Sequence, residues 1–419
     1  MSTLWSNNSP QNFWLCQPEI AVEVWRDAVL GTLLDLNLPL QSQDLDSFLS
    51  YSLGERRFGQ DCWRLSLLKR AYYQIKPLLP CQLRYILRRI YKNFPDNSDQ
   101  INWPVEDGYV RFQQEVIKRV LLSQNQASLT FRNFWPDDYR YAFILTHDIE
   151  TDEGQSYVRN VIELEESFGF HSSFNFVPER YELDYKLMQE IRERGFEIGV
   201  HGLKHDGKLF DSYSKFMDRS LRINHYFSKF NSAGFRSPLM MRNPIWMQAL
   251  EMDYDLSFFD TDPYEPIPGG VMSIWPFFIG HFVELPYTLP QDSTIFLVLC
   301  ENTPQIWLQK VDFIEHNHGM ALINTHPDYL RDGKLWNIYI DFLQKMKDRV
   351  GYWQPLPNQA AVWWRRRYEA GAEDDADLPL GVIRLNNDQI SIESPKYNPG
   401  INQAKDMDRS LIMASRERV

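Results

Sequence analysis

Two stretches of this 419-residue chain carry side chains suited to holding a cation and moving protons. His201-Gly202-Leu203-Lys204-His205 sets two imidazoles four positions apart, a spacing that lets both nitrogens reach one ion about 2.0–2.1 Å away if the chain makes a helical turn. Gly202 permits a tight exit from whatever precedes it. Thr146-His147-Asp148-Ile149-Glu150-Thr151 sets two acids two positions apart. One of them can bind the ion while its neighbour, kept off it, accepts a proton from bound water. A helix amino terminus would also attract acids, but that accounts for Asp152 and Glu153 better than for Asp148. A site of two imidazoles and one carboxylate with an open position suits zinc or a similar borderline metal.

These residues follow short apolar runs. YAFILTH (141–147), SSFNFV (172–177), FEIGVH (196–201), AGFRSP (233–238), DLSFF (255–259) and MALINTH (320–326) alternate with helical stretches, the rhythm of a parallel α/β arrangement. Three of the runs end at a histidine or carboxylate. In a parallel barrel the carboxyl ends of the strands share one face, so Asp148, His201 and His326 can meet despite their separation in sequence.

Three regions are expected. Residues 1–134 form an amino-terminal helical region, with helices over Glu19–Leu36, Trp63–Leu79 and Gln82–Asn93 and another marked by Phe112, Val116, Val120 and Leu121. Residues 135–357 form the α/β domain. Residues 358–419 hold an acidic linker (Glu373, Asp374, Asp375, Asp377), a small hairpin turning at Asn386 to Asp388, and a poorly ordered end.

Composition excludes several classes. The chain is 43% hydrophobic and 14% aromatic, as globular proteins are. Its 44 basic against 56 acidic residues give a net charge of −12, which repels phosphate backbones, so no nucleic-acid partner is expected. No basic leader and no long apolar run is present, which reads as cytoplasmic. The stretch with Arg84, Arg88, Arg89 and Lys92 reads as a solvated helix face rather than a membrane-surface contact. Cys16, Cys62, Cys81 and Cys300 lack CxxC spacing and are expected to be buried.

In order and interval, THDIE, HSSFNFVPE, FEIGVHGLKHDG, GFRSP and LINTHP resemble the motifs of the polysaccharide deacetylase (NodB-like, chitin deacetylase) family, over about residues 138 to 355. The resemblance implies a distorted (β/α) barrel, here with an amino-terminal helical region and a carboxyl-terminal hairpin added. It implies Asp148 as general base, the second acid of the pair as metal ligand with His201 and His205, Arg236 pairing with the catalytic aspartate, and His326 as general acid. An arginine there would hold Asp148 ionised, and an imidazole titrates near neutral pH and can protonate a departing amine. The better-known family pattern has adjacent aspartates; here Ile149 intervenes and Glu150 is a glutamate, which leaves Asp148 or Glu150 as the third ligand. The activity implied is metal-dependent hydrolysis of a carbon–nitrogen bond, with zinc the expected ion and a carbohydrate or other small amide the partner.

Three further readings compete. Asp260-Thr261-Asp262 is a DxD of the kind that holds a metal and a nucleotide sugar in glycosyltransferases. A barrel that has lost catalysis and serves as a binding module is another, disfavoured by the presence of both acids, both histidines, Arg236 and His326. An iron oxygenase would place a histidine two residues from the acid, which His147 does not satisfy. Trp275, Pro276, Tyr264 and Leu285 to Tyr287 are candidates to line an apolar pocket for an acyl methyl. His147 points to the opposite side if Asp148 points in, and a supporting role beside the site is one reading among several; His171, His225, His281, His316 and His318 are expected to be structural or exposed.

Overall fold

The computed structural model describes residues 4–38, 42–59, 62, 63, 65, 69, 75, 102–267, 269–370 and 378–394. Apart from those isolated positions, the helices expected over 63–79 and 82–93, with their basic face, lie outside the described residues, as do Cys81, the acidic run 373–377 and the final twenty residues.

The chain begins with helix Pro10–Trp14, strand β1 (Cys16–Gln17) and helix Val22–Leu36, and later adds helix Gly108–Ser123 and strand β2 (Ser128–Arg132). It then builds β3 (Tyr141–Ile149), β4 (Ser172–Phe176), β5 (Glu197–His201), β6 (Gly234–Arg236), β7 (Tyr254–Asp255), β8 (Phe277–Ile279), β9 (Phe282–Glu284), β10 (Met320–Thr325) and β11 (Tyr352–Trp353). Every residue of β3 is buried, as expected of a parallel strand covered on both faces.

Strands β10, β3, β4, β5, β6, β7 and β9 lie side by side and parallel; β8 turns back antiparallel on β9, and β11 pairs with the start of β3. The chain leaving β9 closes the ring. Tyr287 N donates to Phe258 O at 3.0 Å, and Thr288 N and Leu289 N donate to Leu322 O at 3.1 and 3.0 Å. Tyr287 is thereby bridged to Phe259 and Leu289 to Ile323. The result is an irregular (β/α) barrel whose closing side is a single extended segment.

Helices cover the outside, and their ends are written locally. Helix Asp152–Phe168 starts at Thr151, whose hydroxyl accepts from Gly154 N, and stops at left-handed Gly169. Among the described residues, no helix is long and apolar enough to cross a membrane.

The expected hairpin forms: β12 (Leu380–Asn386) and β13 (Gln389–Glu393) turn through Asn387 and Asp388, both at positive φ, the conformation of a two-residue type I′ turn. Its partner was not foreseen. β12 pairs with β2 and β2 with β1, so a four-stranded antiparallel sheet joins the two ends of the chain. The region read as helical therefore also contributes two strands, of two and five residues, too short for their alternation to stand out.

Candidate active site

Side-chain alternation along β3 sorts its polar residues. Thr146 and Asp148 point to one side, where Thr146 Oγ1 donates to Ile323 O at 2.7 Å and Asp148 meets Asn175 of β4, its register partner, at 3.1 Å. His147 points to the other side. There it bonds Thr325 Oγ1 at 2.7 Å and, under the covering helix, Glu165 at 2.8 Å, a structural role outside the site. Gly199 of β5 leaves the room that Asn175 needs, since a Cβ there would stand 1.9 Å from Asn175 Oδ1.

Beyond the strand ends, the ligating atoms of Glu150, His201 and His205 lie within 4.8 Å of one another. Glu150 Oε1 is 2.8 Å from His205 Nε2, 3.7 Å from His201 Nε2 and 3.6 Å from His326 Nε2. His201 Nδ1 sits 3.1 Å from the carbonyl of Arg236; a carbonyl only accepts, so the proton is on Nδ1 and Nε2 keeps a lone pair. The Nε2 of His201 is buried without a hydrogen-bond partner, and that of His205 faces Glu150. The His201 lone pair, the His205 ring nitrogen and a carboxylate oxygen turned toward one point are the donor set of a divalent cation, and these residues fit one.

The segment between the two histidines is not the helical turn that their spacing suggested. His205 and Gly202 are both left-handed, at φ 50° and 58°, and the chain bends back to bring the rings to 5.1 Å. A side chain at 202 would be strained at that φ, and its Cβ would lie 2.4 Å from Pro238 Cδ.

Asp148 is held from three sides: by Asn175, by Asn324 Nδ2 at 2.9 Å on Oδ2, and by Arg236 Nη1 at 3.5 Å on Oδ1. Its Oδ2 is also 3.8 Å from His201 Nε2. Burial pushes the carboxyl up, but Arg236, His201 and His326 outweigh it and leave it below the usual range. Glu150 is likewise raised by burial and lowered more by His205, His201 and His326, ending well below its ordinary value. His205 is lowered, chiefly by burial.

His326 follows β10. Its Nδ1 lies 2.7 Å from Asp292 Oδ1, and its backbone N donates to Asp292 Oδ2 at 2.6 Å. Burial opposes charge on this ring, yet Asp292 and Glu150 hold its pKa well above the usual value. The structure therefore brings together Asp148, Glu150, His201, His205, Arg236 and His326. With Asp148 tied to two amides and an arginine, Glu150 is the acid whose oxygen faces both histidines.

Sequence reasoning missed Asn175, Asn324, Gln291, Asp292 and Arg180, which is 3.7 Å from Glu150 at the rim. A polar residue in phase with Asp148 inside an otherwise apolar strand was the available signal for Asn175 and Asn324. Asp292, on a loop, carried none.

Several expectations are corrected. Asp260 is buried against Lys310 at 2.7 and 2.9 Å, and Asp262 accepts from Thr294 Oγ1 at 3.0 Å and Tyr264 N at 2.9 Å, so the DxD does not present a paired open site. The aromatic pocket does not form. Trp275 packs on Phe13 and donates to His318 O at 2.9 Å, at the end of β10 away from His326. Leu285 and Tyr287 are fully buried, and Tyr264 rests edge-on against Trp103. Cys16 and Cys62 are buried, whereas Cys300 is exposed. Of the remaining histidines, His171 packs on Phe196, His281 bonds Gln248, His318 is buried beside Ser394 and His225 is exposed.

No protein-family model matches the chain, and no curated protein matches its sequence. Among solved structures it is similar to PuuE allantoinase (13% identity over 56% of this chain and 93% of that one, TM-score 0.46). It is also similar to a probable polysaccharide deacetylase from Pseudomonas aeruginosa PAO1 (15% identity, 56% and 94%, TM-score 0.45). A third is the peptidoglycan deacetylase PdaC from Bacillus subtilis (14% identity, 56% and 96%, TM-score 0.37).

Proposed function

We propose that this chain is a metal-dependent hydrolase of a non-peptide amide bond, releasing acetate from an N-acetylated sugar or a related small amide. The observation that carries the reading is the meeting of Glu150, His201 and His205 at one point, with Asp148 Oδ2 and His326 Nε2 each within 4 Å of that set. A divalent cation held by these three, zinc on such a donor set, supplies Lewis acidity toward the carbonyl and makes bound water more acidic.

Asp148 takes a proton from the attacking water as its oxygen adds to the carbonyl carbon. Arg236, Asn175 and Asn324 keep the carboxylate ionised and aimed, so no reorientation is needed during the step. His326 carries protons on both nitrogens, one committed to Asp292, and gives the Nε2 proton to the leaving nitrogen as the carbon–nitrogen bond breaks. The products are a carboxylate and an amine.

The test is metal analysis of the purified chain, together with acetate release from a panel of N-acetylated sugars before and after chelation. A stoichiometric metal, activity lost on chelation and restored by zinc, and metal binding weakened about tenfold or more in His205→Ala are expected. A chain that binds no metal overturns the proposal.

A further inference from the structure

The segment that carries the DxD also reaches the candidate base, through two amides. Asn324 Nδ2, which donates to Asp148 Oδ2 at 2.9 Å, donates as well to Gln291 Oε1 at 3.1 Å. Gln291 Nε2 in turn donates to Glu265 Oε1 at 2.6 Å, and the same oxygen accepts from Tyr287 OH at 2.8 Å. Asn324 and Tyr287 are fully buried, and Glu265 and Gln291 nearly so. This places a four-residue polar chain beside the barrel's closing segment, ending on the acid that the mechanism uses.

The chain has a direction. Glu265 Oε1 accepts from both Gln291 Nε2 and Tyr287 OH, so it draws the NH2 end of Gln291 toward itself and turns its carbonyl to Asn324. That carbonyl fixes which way the Asn324 amide faces, and its NH2 then points at Asp148. Thr146 Oγ1, 3.4 Å from Asn324 Oδ1, faces the opposite end of the same amide. A reversed Asn324 would turn an oxygen lone pair on the Asp148 carboxylate, and in a dry interior such a mismatch is expensive.

We propose that Glu265 and Gln291 are positioning residues that act on Asp148 through Asn324: they set the orientation of its amide and so aim the catalytic carboxylate. The proposal rests on Asp148 being the base. It assigns the loop Asp260–Glu265 a use that its DxD pattern does not suggest. Asp260 is anchored on Lys310 and Asp262 on Thr294, which holds the loop while Glu265 reaches inward.

The test is a double-mutant cycle on Gln291→Leu and Asn324→Ala, read as acetate release from tri-N-acetylchitotriose. Asn324→Ala is expected to lower kcat about a hundredfold, and Gln291→Leu about tenfold, with KM within about twofold in each, as for loss of aim in a proton transfer. The double variant should be no slower than Asn324→Ala alone, because Gln291 has nothing left to orient. Multiplicative losses, or wild-type kcat in Gln291→Leu, overturn the proposal. Zinc content should be unchanged in all three, since none touches Glu150, His201 or His205.

A readout independent of turnover is hydrogen exchange of the Asn324 side-chain amide by NMR, its signal identified by its absence in Asn324→Ala. Slow exchange in the wild type and at least about tenfold faster exchange in Gln291→Leu is expected for a lost buried hydrogen bond. Equal exchange overturns the relay whatever the reaction is. If the wild type releases no acetate while the exchange result holds, the proposed reaction fails and the relay stands.

Discussion

Asp148 and Glu150, and Asp260 and Asp262, are pairs of acids two positions apart at or beyond the ends of barrel strands, and in both pairs burial works against ionisation. The first pair faces arginine and imidazole, which outweigh burial and leave both carboxyls low. The second has one lysine between two acids, and burial wins: Asp260 is pushed up to about 6 and Asp262, with Glu265 beside it, to about 8. The same spacing thus yields the candidate cation site in one place and an internal anchor in the other. What separates them is which other side chains the barrel turns toward them, not the acids themselves.

The widest separation between the two pairs is expected in turnover. Asp148→Asn and His326→Ala should each lower kcat about 10²–10⁴-fold while the metal stays bound, as read by steady-state rates and metal content; retained activity in either would overturn the roles assigned here. Next comes stability. Asp260→Asn strips the buried Lys310 of its charge partner and should cost about 3–5 kcal/mol in urea unfolding, with metal content unchanged. Pairing Asp260→Leu with Lys310→Met should recover much of that loss. If Asp260→Asn unfolds like the wild type but loses its metal, the two pairs are not distinct in the way described.

The smallest effect lies at the other end of the barrel. Glu197, at the start of β5, accepts from Tyr254 OH and from Asn358 N, with no cation among the described residues against it, and burial raises it from its ordinary 4.5 to about 7. Between those values the folded chain holds a proton that the unfolded chain has released, so stability falls as pH rises from about 4.5 to 7 and is level above. Glu197→Gln should flatten that slope in thermal unfolding followed across pH; an unchanged slope would place the titration elsewhere.

The barrel and the inner side of the site were legible because strands buried on both faces read as apolar runs, and a polar residue closing such a run has few reasons to be there. Asp148, His201 and His326 were visible in that way, and His205 by its spacing from His201. The contacts that tune them were not. Asn175 reaches Asp148 through strand register, and Asp292 reaches His326 through the closure at Leu285–Leu289, neither of which a linear pattern encodes. The left-handed bend at Gly202 and His205 was hidden for a similar reason: it packs Gly202 against Pro238, from a different loop. β1 and β2 escaped notice because their partner strand lies beyond the entire barrel.

That last pairing bears on how the chain is made. β2 leaves the ribosome before any barrel strand, and β12 after all of them, an interval on the order of tens of seconds at ~5–20 residues per second. Until β12 emerges, the edge of β2 that it fills lacks its native partner, and unpaired strand edges are prone to recruit other chains. A message that stalls before the hairpin codons would therefore release a protein whose barrel strands are all present but whose opening segment is left adhesive, which makes the last stretch of translation a protective step for the first.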